Sequence, residues 1–273
     1  MKIIDCFTFF NEIDMLYYRL SLLDEYVDYF VIAEATKTHT GKYKPSYFLE
    51  NVSKFEKFAD KIIFLQDPDL ETDPLDAWPN EKHQRNYLQH GIQHLNLSPD
   101  DYVIISDLDE IPNPTILQKL RSGENDLPHG TGDLQMDFYY YNLTCKIQGA
   151  WGGKARIATY EFYKNCANEI PENLRNMPDN LKNIKTTVFQ NGGWHLSYFG
   201  DANFISNKIQ NFAHKEFDNQ NFTDLGKIEF RVKNHLDAFD RHGSKMDYIP
   251  IHENTNLPPR YAEFLGMFLG DQN

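Results

Sequence analysis

The sequence predicts an α/β fold with a mixed, mostly parallel central sheet, and three observations carry that expectation. In the first half, short apolar runs alternate with stretches whose apolar residues recur every three or four positions, as in strand–helix–strand units. Each apolar run stops at polar residues, as buried parallel strands do where they reach a sheet edge. In the second half, extended aromatic-rich runs flank a glycine turn and supply further strands.

Residues 2–10 form the first strand-like run. Residues 12–23 follow as a helix, with Ile13, Leu16, Tyr17, Leu20 and Leu23 along one face. A second buried strand covers 28–35 and ends at a carboxylate, and a short third covers 62–65. Asn80 is placed to cap a helix running to about residue 95. The fourth strand is 102–105; Asn113 then caps a helix over 114–120 that has proline in its first position. Beyond it, 133–141 and 156–163 read as strands around the turn Trp151-Gly152-Gly153, whose glycines leave room for a ligand to approach the backbone. A Pro- and Asn-rich loop occupies 166–183, a strand 192–199, and helical periodicity 202–217.

Composition narrows the function classes. The chain has 273 residues, 41% hydrophobic and 25% charged, enough for one substantial core. Its net charge of −13 with no basic run excludes a nucleic acid polymer as partner. A small anion is still admissible, because a metal ion and a few basic side chains can offset its charge locally. The 16 Tyr and 20 Phe supply a bulky core and rings on which the C–H face of a sugar can pack. Cys6, Cys145 and Cys166 match no zinc spacing or disulfide framework and are expected as free thiols. The N-terminal run is broken by Asp5, Asn11, Glu12 and Asp14, so neither a signal peptide nor a membrane span is expected, and the chain reads as cytoplasmic.

The segment YVIISDLDEIP at 102–112 is the most informative. An apolar strand delivers Asp107 and Asp109 to one side, while Leu108 between them turns back to the core. Two hard oxygen ligands suit Mn²⁺ or Mg²⁺, and a bound ion would act as a Lewis acid on a departing diphosphate. Asn11, Glu12, Glu34, Asp107 and Asp109 all follow strand-like runs, so they should converge where ligands bind in parallel sheets.

Several motifs occur in the order found in one known family. The opening DCFTFFNEIDMLYYRL, the run VDYFVIAEATKTHTGKYKP, QRN at 84–86, SDLDEIP at 106–112 and GGWHLSYFG at 192–200 resemble glycosyltransferase family 17, the β-1,4-mannosyl-glycoprotein β-1,4-N-acetylglucosaminyltransferases. The resemblance implies a GT-A-type, Rossmann-like fold and an inverting transfer. It also implies a UDP-sugar donor (UDP-GlcNAc by analogy), Mn²⁺ or Mg²⁺, and a glycan acceptor. A single domain is expected over 1–273, with 1–125 as the nucleotide-sugar half and 126–273 as the acceptor half and C-terminal helices. His195 resembles the third metal ligand of such enzymes, and Trp194 beside it is expected to shape the acceptor site. Arg85 resembles a donor-contacting residue; Lys208 or His214 is placed to meet the diphosphate, and Glu34 the uracil or ribose. Inversion needs a general base, for which Glu216, then Asp201, then Glu161 are the candidates. Two other readings compete: a metal-dependent phosphohydrolase or nucleotidyltransferase, and a non-catalytic sugar-binding module.

Overall fold

The computed structural model describes residues 1–241 and 245–270. Among these described residues ten strands form one mixed sheet: β1 (Ile3–Phe9), β2 (Tyr29–Ala35), β3 (Ile62–Asp67), β4 (Tyr102–Asp107), β5 (Glu110–Pro112), β6 (Thr131–Tyr140), β7 (Cys145–Trp151), β8 (Arg156–Thr159), β9 (Thr187–Ser197) and β10 (Met246–Tyr248). Their order is β10-β7-β6-β8-β4-β1-β2-β3, with β9 joined to β5 and β6. The first-half strands β3, β2, β1 and β4 are mutually parallel, as the alternation with helices required. Antiparallel β8 closes on β4, and β6 runs parallel to β9.

Apolar clusters cover both faces of the parallel part. Ile3, Phe7 and Phe9 of β1 pack on one side, and Ile4 and Cys6 on the other. Burial on both faces is why these strands read as continuous apolar runs without alternation. The helix Ile13–Leu23 buries nearly its whole circumference beneath the sheet.

Register then sets the site. Thr8 lies opposite Asp107, so β1 and β4 end together. Glu110 of β5 lies opposite His195 of β9, and Phe138 of β6 opposite His195 from the other side. Gly193 lets β9 fit between β5 and β6: a Cβ there would come within 2.0 Å of the Ile111 carbonyl oxygen.

Some boundaries differ from expectation. The helix expected from Asn80 begins at Trp78 and ends at Tyr87, followed by a short turn Gln89–Ile92. Asn80 lies inside it and bonds to the Glu71 backbone instead of capping. The strand expected over 156–163 ends at Thr159, whose hydroxyl caps a helix Tyr160–Asn165. The loop expected over 166–183 contains a helix, Pro171–Asn176. The helix expected over 202–217 stops at Asn211, and further short helices follow, among them Leu225–Lys233. Cys6, Cys145 and Cys166 are all unpaired. Among the described residues, no helix is long and apolar enough to cross a membrane.

Candidate active site

Beyond the carboxyl ends of β1 and β4 lies a cavity of about 580 Å³. Its floor is the turn carrying Asp107, Leu108 and Asp109, which is held from beneath by Arg19 of the helix Ile13–Leu23. Arg19 Nη1 donates to the carbonyls of Asp107 (2.7 Å), Leu108 (3.0 Å) and Glu110 (3.0 Å). Its Nε and Nη2 clasp the Asp5 carboxylate at 2.8 and 2.6 Å, and Nη2 also reaches Ser106 Oγ. Arg19 and Asp5 are both fully buried. Leu108 packs into the core as expected, although it lies in the turn between β4 and β5 rather than in a continuing strand.

A second buried group fixes the turn from the side. Glu110 accepts from the Asp107 N–H (2.7 Å), Trp151 Nε1 (2.6 Å) and Arg175 (2.6 and 3.1 Å). Arg175 continues to Asp107 Oδ2 at 2.5 Å, while Arg85 lies 3.4 Å from Asp107 Oδ1 and binds Glu81 and Glu172. Desolvation alone would raise the Asp107 carboxyl, but Arg175 and Arg85 outweigh it and hold it below the usual carboxylate range.

Asp109 has different neighbours. Its Oδ2 accepts from Lys208 Nζ at 3.0 Å, and its Oδ1 is 3.5 Å from His195 Nε2. Lys208 also reaches Glu12 at 3.1 Å. Burial would raise the Asp109 carboxyl, yet the Lys208 ammonium and His195 hold it far below its ordinary value. Burial would likewise lower Lys208, and the two carboxylates raise it instead. Both groups therefore stay charged at neutral pH. His195 stacks on Phe138 (centroids 4.4 Å apart) and leans on Trp151; its buried Nδ1 has no partner among the described residues.

These residues fit a divalent ion in part. Asp109 Oδ1 and His195 Nε2 face each other across a gap that one ion, with ligand bonds near about 2.1 Å, could bridge after a small adjustment. Asp107 does not join them, because both its oxygens face arginines. The expected three-ligand set is reduced to two. Among the described residues, the group of three such side chains whose ligand atoms all lie within 4.8 Å of one another is instead Asp67, Asp69 and His83, where β3 ends beside the helix Trp78–Tyr87.

Of the expected donor contacts, Glu12, Arg85, Asp107 and Lys208 line the cavity, as does His214. Asn11 does not; its side chain turns to Asn207. Glu34 is corrected outright. Fully buried, it accepts from Lys44 Nζ, Ser46 Oγ and the N–H groups of Tyr47 and Phe48, so its lone pairs serve a helix start rather than a uracil or ribose. Around the glycine turn, Trp151 and Lys154 reach the cavity, while the Gly153 N–H is held by Asp133.

None of the three proposed bases lines the cavity. Asp201 caps the helix Ala202–Asn211 by accepting from the Phe204 N–H. Glu161 lies in the helix beside the amino end of β4, at the opposite sheet edge. Glu216 is 57% exposed and bound to His214 Nδ1 at 2.7 Å. Trp194 is also corrected. Its indole donates to the Asn256 carbonyl at 2.7 Å within the main core, because side chains alternate along β9 and His195 takes the cavity side.

Sequence reasoning missed Arg19, Glu110, Trp151, Glu172 and Arg175. Pro171, a favoured first helical residue, was the available signal for the short helix that brings Glu172 and Arg175 to the cavity.

Over 119 residues, 41% of this chain, the β-1,4-mannosyl-glycoprotein 4-β-N-acetylglucosaminyltransferases of Rattus norvegicus and Homo sapiens are each 34% identical to it. The Mus musculus protein is 33% identical over the same length. The match spans 22% of those relatives' own length. Among solved structures, a glycosyltransferase involved in the glycosylation of the major capsid of PBCV-1 aligns with 69% of this chain and 80% of its own, at 10% identity and a TM-score of 0.32. The family model for glycosyltransferase family 17 matches residues 1–264, nearly the full length, and the chain belongs to that family.

Proposed function

We propose that this chain transfers a sugar from a nucleotide-sugar donor, UDP-GlcNAc before others, to a hydroxyl of a glycan acceptor, inverting the anomeric centre to form a β-linkage. The observation that carries this reading is a local reversal of charge. The chain bears −13 overall, yet five lysines and three arginines line the cavity against Glu12, Glu81, Asp107, Asp109 and Glu172. A cavity that concentrates cations at strand ends suits a diphosphate. The names of the family relatives supply the sugar.

Lys208, with Arg85 and Arg175 behind Asp107, would balance the charge that builds on the departing diphosphate. The buried clasps on the Asp107–Asp109 turn keep that field fixed through the reaction, so little reorganisation is needed at the transition state. A Mn²⁺ or Mg²⁺ ion would be held by Asp109 and His195, the imidazole favouring Mn²⁺, and would supply Lewis acidity toward the diphosphate.

Calorimetric titration of nucleotide sugars, with and without Mn²⁺, tests the reading together with product analysis on oligosaccharide acceptors. UDP-GlcNAc is expected to bind, and Mn²⁺ to tighten it about tenfold or more, roughly 1.4 kcal/mol. Chelation should then remove most turnover. Failure to bind any sugar nucleotide would overturn the assignment, and release of UDP without transfer would move it to a phosphohydrolase.

A further inference from the structure

The cavity holds carboxylates in number, but each is already held by a cation. Glu12 and Asp109 face Lys208, Asp107 faces Arg175 and Arg85, and Glu81 and Glu172 face Arg85. A carboxylate whose oxygens are engaged by a cation has no lone pair free to meet an acceptor hydroxyl. Three histidines also line the cavity. His39 Nε2 is taken up by Gln84 Oε1 at 2.7 Å, and His195 Nε2 is turned toward Asp109.

His214 differs from both. Its Nδ1 lies 2.7 Å from Glu216 Oε1, and among the described residues its Nε2 has no hydrogen-bond partner. Slight burial would raise the Glu216 carboxyl, but the bond to His214 outweighs this and lowers it. An ionised carboxylate only accepts, so Nδ1 must carry the hydrogen, and Nε2 of the neutral ring is left with its lone pair bare. The ring itself is fixed in place. Trp78 meets it edge to face with centroids 4.5 Å apart, and Phe212 and Phe217 lie at 5.3 and 5.6 Å. All four rings line the cavity, and Trp78 is 37% exposed. An aromatic wall of this kind suits the C–H face of a sugar, so it would bring an acceptor hydroxyl next to His214.

We propose that His214 is the general base of the transfer, with Glu216 as its positioning residue and the Trp78–Phe212–Phe217 wall as the acceptor platform. The proposal rests on the transferase reading above. In the step, the acceptor O–H gives its proton to His214 Nε2 while its oxygen bonds to the anomeric carbon. The bond from that carbon to the diphosphate oxygen breaks, and its electron pair leaves with the nucleoside diphosphate. Glu216 stabilises the imidazolium until the proton passes to water. The expectation of Glu216 as the base is thereby revised: the carboxylate acts through the imidazole.

The test compares wild type, His214→Ala, His214→Gln and Glu216→Gln in transfer from UDP-GlcNAc, with donor affinity and thermal midpoint measured alongside. His214→Gln should lower kcat by about 10²–10⁴-fold while leaving donor Kd and the melting temperature in place. Glu216→Gln should lose less, about tenfold, because the amide still holds the ring but no longer balances its charge. Added imidazole should restore turnover to His214→Ala, which a merely structural histidine would not allow. Wild-type kcat in His214→Gln, or a rise in acceptor KM alone with no imidazole rescue, overturns the base. If wild type itself transfers no sugar, the transferase reading fails first and the base falls with it.

Discussion

Replacing Arg19 with methionine is expected to lower the unfolding free energy by about 3–5 kcal/mol, the cost of leaving a buried charge without its partner. Asp5 is fully buried, and its carboxylate is clasped by Arg19 through two bonds. The same guanidinium satisfies three carbonyls of the turn that bears Asp107 and Asp109. Methionine matches much of the stem's volume, so the loss isolates the head group rather than a cavity. Urea denaturation followed by tryptophan fluorescence would read the change directly. A loss below about 1 kcal/mol would show that the clasp contributes little to stability, contrary to the magnitude typical of broken buried pairs. Pairing Arg19→Met with Asp5→Leu should recover much of the stability, since no charge is then stranded. It should not restore activity, because the three carbonyls would still lack their donor.

Arg19 also marks where the sequence stopped being legible. The strands could be read because each buries both faces, leaving continuous apolar runs such as 29–33 and 102–105. Their ends could be read because polar residues follow at once, and that placed Asp107, Asp109 and Glu12 around one cavity. Arg19 gave no such signal. Its partners lie 14 to 91 residues away, so nothing near it in sequence distinguishes it from a solvated arginine on a helix. Glu34 shows the opposite error. It ends a strand as Asp107 does, but the first turn of a helix starting at Tyr47 consumes its lone pairs.

Two misassignments could have been avoided from local rules. Alternation along a strand sends neighbours to opposite faces, so placing His195 in the cavity already required Trp194 to be core. Asp201 follows Gly200 and precedes a helical pattern, the position of an N-cap, which is the role it fills. Arg175 and Glu172 were harder. A helix of six residues is too short to show periodicity, and its contacts with Glu110, Asp107 and Arg85 cross 65 to 87 residues.

Substituting Asp109 by alanine should lower kcat by roughly 10²–10³-fold or more, as when a fixed electrostatic contact to the transition state is removed. The fold should survive, because Lys208 keeps Glu12 as a partner and is not left buried alone. A stability loss of about 2 kcal/mol is the expected scale for one charged hydrogen bond. Asp107→Ala should behave differently. It frees Arg175 and Arg85 from the carboxylate that aims them, so donor affinity should change along with kcat. Asp109→Asn separates the two ways in which Asp109 could act. If an ion bridges Asp109 and His195, the Mn²⁺ concentration for half-maximal rate must rise steeply in this variant. If Asp109 serves only to orient Lys208, that concentration stays where it was while kcat falls. An Asp109→Ala enzyme that turns over at the wild-type rate with all metal chelated would remove both roles, and with them the idea that this turn faces the departing diphosphate.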